Sequence, residues 1–208
     1  RLGAESAGAL VLQPEGHSDV AKGTQALSRD ELSRRIRQLP KSSLSSQSPK
    51  RMSLAGAQHK MVVNFDPHSG QLMEPLKGSP STHILKPNST APGYPHSVIN
   101  EVFTMRLAAR FGLKVPMVWR LYVPEPVFII ERFDRKVDSR QQEPLRLHVL
   151  DGCQMLNESA IYKYSSATVA KLNNLIDLCR NKAAARLAVF QWIVFNTCRR
   201  STAVRCQL

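Results

Sequence analysis

The segment RMSLAGAQHKMVV, Arg51–Val63, contains the features that decide how this sequence is interpreted. A serine, two alanines and a glycine fall between Ser53 and Ala57, and an apolar run, Lys60 to Phe65, follows and predicts a β-strand. Small residues allow another group to approach the backbone closely. The segment is therefore either a loop that covers a bulky anion, such as a nucleotide phosphate, or a tight turn with nothing against it.

The composition is that of a soluble globular protein with one or two domains. The chain has 208 residues, of which 42% are hydrophobic and 22% charged. It has no apolar run of about 18 residues, and it begins at Arg1 without a signal-peptide pattern. We therefore expect a cytoplasmic protein whose sequence begins before Arg1. The four cysteines form no CxxC pair and predict neither a disulfide framework nor a zinc site.

The formal net charge of +13 allows two interpretations. It favours attraction to an anion, either a nucleic acid or a nucleotide. It is equally consistent with a solvated basic surface, because the basic residues are spread along the chain. The densest basic cluster, between Arg29 and Arg51, has no recognition-helix pattern, so direct DNA binding there is the weakest alternative.

The first fifty residues predict one strand, one helix and a linker. Ala7–Leu12 is a short apolar strand. Ser28 followed by Glu31 three residues later is a capping-box pattern, which predicts a helix that ends before Pro40. The serine-rich stretch 41–50 predicts a flexible linker and a domain boundary.

After Arg51 the pattern predicts the order strand, strand, helix, strand, strand. The strands are Lys60–Phe65, His83–Lys86, Met117–Val123 and Val127–Glu131. The helix begins at Ser97 and ends at the capping residue Gly112, with one apolar face formed by Val98, Val102, Met105 and Ala109.

From Asp151 onward the sequence predicts helices. One helix has a shared face formed by Val169, Leu172, Ile176 and Cys179. The segment Leu187–Phe195 is apolar nearly all round, which predicts a buried helix.

Several of these elements together match the order of parts in the nucleotide-binding lobe of a protein kinase. The small-residue loop is followed by a lysine on a strand, Lys86, then a glutamate on the next helix, Glu101, and then a strand that ends in Glu131, Arg132 and Phe133. In that arrangement the lysine neutralises phosphate charge, the glutamate orients the lysine, and backbone groups after the last strand hold the adenine edge. A strand lysine alone indicates little, because lysines are usually exposed on surfaces.

Longer motifs resemble the HipA family of bacterial serine/threonine kinases, the toxins of HipA–HipB toxin–antitoxin modules. These motifs are RMSLAGAQHK, THILK, SVINE, LAARFGLKVP, IIERFDR and RLHVLDGCQML, spanning Arg51 to about Asn196, and AGALVLQPEG resembles the end of the family's N-terminal subdomain. The resemblance implies an α+β fold: a kinase-like N-lobe sheet with one helix, followed by the first helices of an incomplete α-helical C-lobe. The implied divisions are the end of the N-terminal subdomain at 1–40, the serine-rich linker at 41–50, the kinase-like N-lobe at 51–150 and the incomplete C-lobe at 151–208. Within the C-lobe, residues 198–208 form a divergent tail.

The resemblance also implies site residues. The ATP-covering loop would consist of Ala55, Gly56, Ala57, Gln58, His59 and Lys60, with His59 where the family often has glutamate. Lys86 would bind ATP, Glu101 would be its partner, and Glu131, Arg132 and Phe133 would form the hinge. Ser53 would be the serine whose autophosphorylation expels the loop and inactivates the enzyme.

The cofactors and partners that the resemblance implies are ATP with Mg²⁺, a HipB-like helix-turn-helix antitoxin through which DNA is reached, and a protein substrate. For the best-known family members, that substrate is an aminoacyl-tRNA synthetase, the glutamyl-tRNA synthetase.

The resemblance stops after Thr197. There the family continues with a segment that contains the catalytic aspartate and a metal-binding asparagine, whereas this chain reads CRRSTAVRCQL, and no Asp or Glu follows Asp177. We expect no general base or Mg²⁺ ligand from that end, and we interpret His148 as structural. The abrupt change is what a reading-frame shift would produce.

The sequence therefore predicts a HipA-like kinase fragment that binds ATP but is inactive. The alternative is a non-catalytic fragment that binds a HipB-like antitoxin as a regulator or decoy.

Overall fold

The structure is a computed structural model that describes residues 5–11, 22–46, 48, 52–53, 58–137, 143–159, 161 and 168–198. They fall into two compact units. One comprises the described part of Arg1–Leu107 together with Val115–His148, and the other combines Ala108–Lys114 with the described part of Val149–Ala203. None of the described helices is both long enough and apolar enough to span a membrane.

The strands, in chain order, are β1 Glu5–Ser6, β2 Thr24–Ala26, β3 Met52–Ser53, β4 Met61–Asp66, β5 Gln71–Pro75, β6 His83–Pro87, β7 Val118–Tyr122, β8 Pro126–Glu131, β9 Arg135–Lys136 and β10 Leu145–Arg146. Six of them form an antiparallel sheet in the order β2-β5-β4-β6-β8-β7. In addition, β1 pairs in parallel with β3, and β9 pairs with β10. The helices are α1 Arg29–Arg37, α2 Ser97–Arg110, α3 Gly152–Met155, α4 Val169–Asp177 and α5 Lys182–Cys198.

Alternation along β8 creates two apolar clusters, as expected when both faces of a strand are covered. Val127 and Ile129 belong to one cluster, together with side chains of β4, β6 and the α1 region. Phe128 belongs to the other, which consists of α2 side chains and Val118. Consequently β8 is an interior strand with both faces covered, and α2 packs on one side of the sheet.

The predicted order of four strands around one helix is confirmed, but β5 was missed. Its sequence, QLMEP, contains a glutamate and a proline and no β-branched residue, so its strand propensity is low. A turn that begins at Asp66 forces the pairing: Gly70 N donates to Asp66 O at 2.8 Å, and Gly70 has the left-handed φ of +70° that this turn requires.

Two expectations for the first fifty residues are wrong. The strand lies at Glu5–Ser6, not at Ala7–Leu12, since Ala7–Val11 form no strand and Leu12 lies outside the described residues. The described part of the serine-rich stretch is not a free linker, because Leu44 is fully buried in the cluster that contains Leu32 and Met61. One leucine among serines is enough to anchor a short segment when it reaches a core. Helix α1 itself is confirmed, with Ser28 Oγ accepting from Glu31 N.

Three helical faces also differ from the predictions. In α2 the buried face ends at Ala108 and not at Ala109. Both residues lie on the same side of the helix as Met105, three and four positions after it, so periodicity alone does not decide which one is buried. In α4 only Ile176 is buried, and Val169 is 70% exposed. The predicted burial of α5 is wrong: Leu187, Phe190 and Val194 are exposed, because its described neighbours cover only part of its circumference.

Candidate functional site

A lysine and a glutamate from adjacent elements form the central pair of the site. Lys86 Nζ lies 2.8 Å from Glu101 Oε2, and the two side chains are 20% and 17% exposed. Lys86 comes from β6 and Glu101 from α2, fifteen residues later. The lysine is therefore not the freely solvated surface residue that an isolated strand lysine usually is. A partly desolvated ion pair of this kind holds the ammonium in one place.

Asn88 fixes the position of this pair. Its Oδ1 accepts a hydrogen bond from Val98 N at 3.0 Å, which satisfies one of the free N–H groups at the start of α2. Ser97 Oγ also accepts from Ser89 N at 2.7 Å. Thus the chain just after Lys86 is bonded to the first turn of the helix that carries Glu101. Sequence analysis missed Asn88, because it lies nine residues before the first residue of α2, outside the position that a local capping signal occupies.

The lysine also lies over an aromatic ring. Lys86 Nζ is 5.3 Å from the centroid of Phe128, a fully buried side chain of the neighbouring strand β8. The ring's negative face attracts the ammonium and limits its motion. Phe128 on β8 and Glu101 on α2 therefore limit the motion of the Lys86 ammonium. Its remaining N–H groups are left to bind an anion.

The structure describes only part of the small-residue loop. Leu54–Ala57 lie outside the described residues, so Ala55, Gly56 and Ala57 remain predictions. Ser53 lies in β3, where its backbone pairs with Ser6. Gln58, His59 and Lys60 are each partly buried, and Gln58 Nε2 donates to Pro87 O at 3.2 Å. That bond brings the end of the predicted loop next to the residue that follows Lys86.

The predicted hinge lies at the end of β8. Glu131 N donates to Met117 O at 3.0 Å, and Arg132 N donates to Thr82 O at 2.9 Å. Phe133 is 71% exposed, and its N–H finds no acceptor among the described residues. A backbone donor that no described residue satisfies, at the end of an interior strand, can bind the edge of a planar heterocycle. The Arg132 side chain, in contrast, is buried among protein groups.

A buried charge cluster surrounds that arginine, and sequence analysis did not identify it. Arg132 pairs with Glu5 and Asp134 at 2.7 Å each, and Arg135 pairs with Glu5 at 2.7 Å. Burial opposes ionisation of Asp134, but hydrogen bonds from Arg132 and Gly8 N–H lower its pKa below the usual value. Burial lowers the pKa of Arg135. No local pattern links Glu5 to Arg132, which lies 127 residues later, so only the fold could reveal this cluster.

A nucleotide fits these groups better than a divalent cation does. Lys86 can neutralise phosphate charge, and the Phe133 N–H can donate a hydrogen bond to the edge of a base. Among the described residues, no three or more His, Cys, Asp or Glu side chains are grouped as metal ligands would be. We therefore assign no described residue to Mg²⁺.

Comparison with known proteins agrees with this arrangement. The chain is 37% identical over 193 residues to Y4mE of Sinorhizobium fredii, a protein provisionally named as a kinase, covering 88% of this chain and 44% of that protein. It is 30% identical over 211 residues to the serine/threonine-protein kinase toxin HipA of Shewanella oneidensis, covering 94% and 47%. The chain thus spans about half the length of these relatives.

A solved structure gives the same result for the fold. A chain in the complex of Shewanella oneidensis HipA, HipB and operator DNA superimposes with a TM-score of 0.70 at 29% identity, covering 91% of this chain and 47% of that one. This confirms the predicted mixed α and β, kinase-like fold. The model of the HipA-like C-terminal domain matches residues 52–202. Since that match includes well over half of the sequence, the chain belongs to the HipA family.

Proposed function

We propose that this chain binds ATP as the nucleotide-binding part of a HipA-like serine/threonine protein kinase. The observation that carries the proposal is the Lys86–Glu101 pair, joined at 2.8 Å and only about one-fifth exposed. In phosphoryl transfer, protein groups contribute mainly by positioning and by neutralising phosphate charge. A lysine held by a glutamate from a helix and by an aromatic ring from the next strand is suited to that role.

The Phe133 N–H supports the other end of the nucleotide. It lies just beyond the end of β8, the strand that pairs directly with β6 and Lys86, and no described acceptor satisfies it. We assign it to the adenine edge, with Lys86 at the phosphates. The predicted loop, Ala55 to Lys60, would cover the phosphates from the side on which Gln58 bonds to Pro87.

The proposed partners follow from the relatives. Shewanella oneidensis HipA is found in a complex with HipB and operator DNA. We propose that this chain likewise binds a HipB-like antitoxin and reaches DNA through it, that it transfers no phosphoryl group by itself, and that the phosphoryl acceptor of the kinase family it belongs to is a protein, such as an aminoacyl-tRNA synthetase. Co-purification with a helix-turn-helix protein encoded beside the gene tests the antitoxin proposal, and its absence from the purified complex would contradict it.

Titration with a fluorescent ATP analogue tests the nucleotide proposal. Lys86→Met removes the ammonium and should weaken binding about tenfold to a hundredfold, which corresponds to the loss of a charge-assisted contact. The matched control is Lys77→Met, because Lys77 is an exposed lysine on the turn after β5. Equal affinities for the two variants would show that Lys86 does not contact the nucleotide.

A further inference from the structure

The buried charge cluster behind Phe133 is centred on one carboxylate. Glu5 is completely buried, and its Oε1 lies 2.7 Å from both Arg132 Nη1 and Arg135 Nη2. Its Oε2 lies 3.5 Å from Arg146 Nη2. Asp134 is the other acid in these ion pairs and contacts Arg132 and Arg135. Three guanidinium groups therefore face two carboxylates, and Glu5 is the carboxylate that all three share.

This cluster holds both residues that flank Phe133. The Arg132 guanidinium donates to both oxygens of Asp134, at 2.9 and 2.7 Å, and to Ser6 O at 2.8 Å. Gly8 N donates to Asp134 Oδ2 at 2.7 Å. A backbone bond, Arg135 N to Arg132 O at 3.2 Å, closes the turn between them. Since Arg132 and Asp134 are both fixed, the direction of the intervening Phe133 N–H is fixed with them.

The segment that carries Glu5 also reaches the strand before the predicted loop. The backbone of β1 pairs in parallel with β3, with Glu5 opposite Met52 and Ser6 opposite Ser53. One short strand therefore bonds through its side chain to the turn at Phe133 and through its backbone to the strand that precedes the loop. Stability alone does not require such an ion-paired link, because replacing a buried ion pair with apolar groups often costs no stability.

We infer that Glu5 is a positioning residue for the adenine end of the nucleotide site, acting through Arg132 to hold the turn that presents the Phe133 N–H. This inference rests on the proposed function, since it assumes that Phe133 faces the base. It goes beyond that proposal by assigning a role in base recognition to the segment before α1. Loss of the Glu5 carboxylate should affect binding of the base and not binding of the phosphates.

The test compares ATP with inorganic triphosphate, which has phosphates but no base. In Glu5→Gln, ATP affinity should fall about tenfold, the upper range for one well-placed hydrogen bond, whereas triphosphate affinity should stay within about twofold. A purely structural role would weaken both ligands equally, and that result would overturn the inference. Unchanged ATP affinity in Glu5→Gln would overturn it as well.

A matched control separates positioning from stability. Glu74 is buried to the same degree and pairs with Arg35 at 2.8 Å, at the β5 side of the sheet. Glu74→Gln should lower the thermal unfolding midpoint about as much as Glu5→Gln does, yet keep ATP affinity within about twofold. If Glu74→Gln weakens ATP binding as much as Glu5→Gln does, the inference fails.

A milder variant guards against unfolding. Ser81 Oγ donates to Glu5 Oε1 at 2.8 Å and accepts from Arg132 Nη1 at 2.9 Å. Ser81→Ala should weaken ATP binding about threefold and leave triphosphate binding unchanged, and equal losses for both ligands would contradict the inference. A parent chain that binds no ATP would instead overturn the proposed function, so the two failures can be told apart.

Discussion

Lys86 Nζ and Glu101 Oε2 lie 2.8 Å apart, although one belongs to the central strand β6 and the other to the helix α2. Their distance is set by Asn88, which bonds to the start of α2, and by Phe128, which lies under the lysine. The pair is therefore the product of a strand, a helix and the short connection between them. Predictions for variants of Glu101 and Asn88 follow from its geometry.

Replacing Glu101 with glutamine should weaken ATP binding less than replacing Lys86 does. Glutamine can still accept a hydrogen bond from Lys86 but no longer provides charge, so we expect a loss of about 1 kcal/mol, or roughly fivefold in affinity. Titration of parent and variant with a fluorescent ATP analogue measures this. A Glu101→Gln affinity equal to that of the parent would mean that the pair does not orient Lys86.

Removing the Asn88 cap should disturb α2 and the pair together. Asn88→Ala frees Val98 N–H, and the loss of such a cap costs about 1 kcal/mol of folding free energy. We also expect ATP affinity to fall, because Glu101 lies in the first turns of the same helix. Urea unfolding and nucleotide titration measure the two effects. The control is Ser89→Ala, whose hydroxyl accepts, among the described residues, only from the nearby Ala91 N in an exposed turn. A loss of stability in that variant equal to the Asn88→Ala loss would contradict a specific cap.

The stability of the sheet should depend on pH through His83. Its ring lies in an aromatic cluster, 5.5 Å from Phe65 and 5.3 Å from Trp119, and burial lowers its pKa from 6.5 to about 4. The folded state thus favours the neutral ring. This stabilisation is complete above about pH 6.5 and is lost as the pH falls toward 4, by at most about 3 kcal/mol.

Urea unfolding at pH 7 and at pH 4.5 measures this dependence, with His83→Phe as the comparison. The variant keeps an aromatic side chain but cannot gain a proton, so its stability should change less between the two pH values. A variant that loses as much stability as the parent would show that other groups control the acid response. Asp134 also makes the folded state lose stability in acid, because its pKa is lowered, but that loss falls mainly below the ordinary aspartate pKa of 3.8 and so largely outside this pH range.

The serine-rich stretch should contribute to stability through a single residue. Leu44 is fully buried against Leu32 and Met61, so Leu44→Ala should cost about 2–5 kcal/mol in free energy of unfolding. Ser43→Ala changes an exposed neighbour and should cost less than about 0.5 kcal/mol. Chemical denaturation of both variants checks this. If Leu44→Ala is as mild as Ser43→Ala, the segment is a linker after all.

The sequence located the parts of the site and the pairing of Lys86 with Glu101, but not the contacts of Asn88 and Phe128 that hold this pair in place. The strand of Lys86, the helix of Glu101 and the end of β8 were predictable because periodicity and capping are local signals. Glu5 was missed and the segment of Leu44 was misjudged, because their partners, such as Arg132 and Met61, are distant in sequence. Composition describes a segment on its own, whereas burial depends on what the fold brings against it.

Direct ATP titration of four proteins tests the central claim: the parent, Lys86→Met, Glu101→Gln and the double variant. We predict that the parent binds ATP and that the two substitutions are not additive. The double variant should be weakened little more than Lys86→Met alone, because Glu101 acts through Lys86. A parent that does not bind ATP, or losses that add in full, would contradict the account.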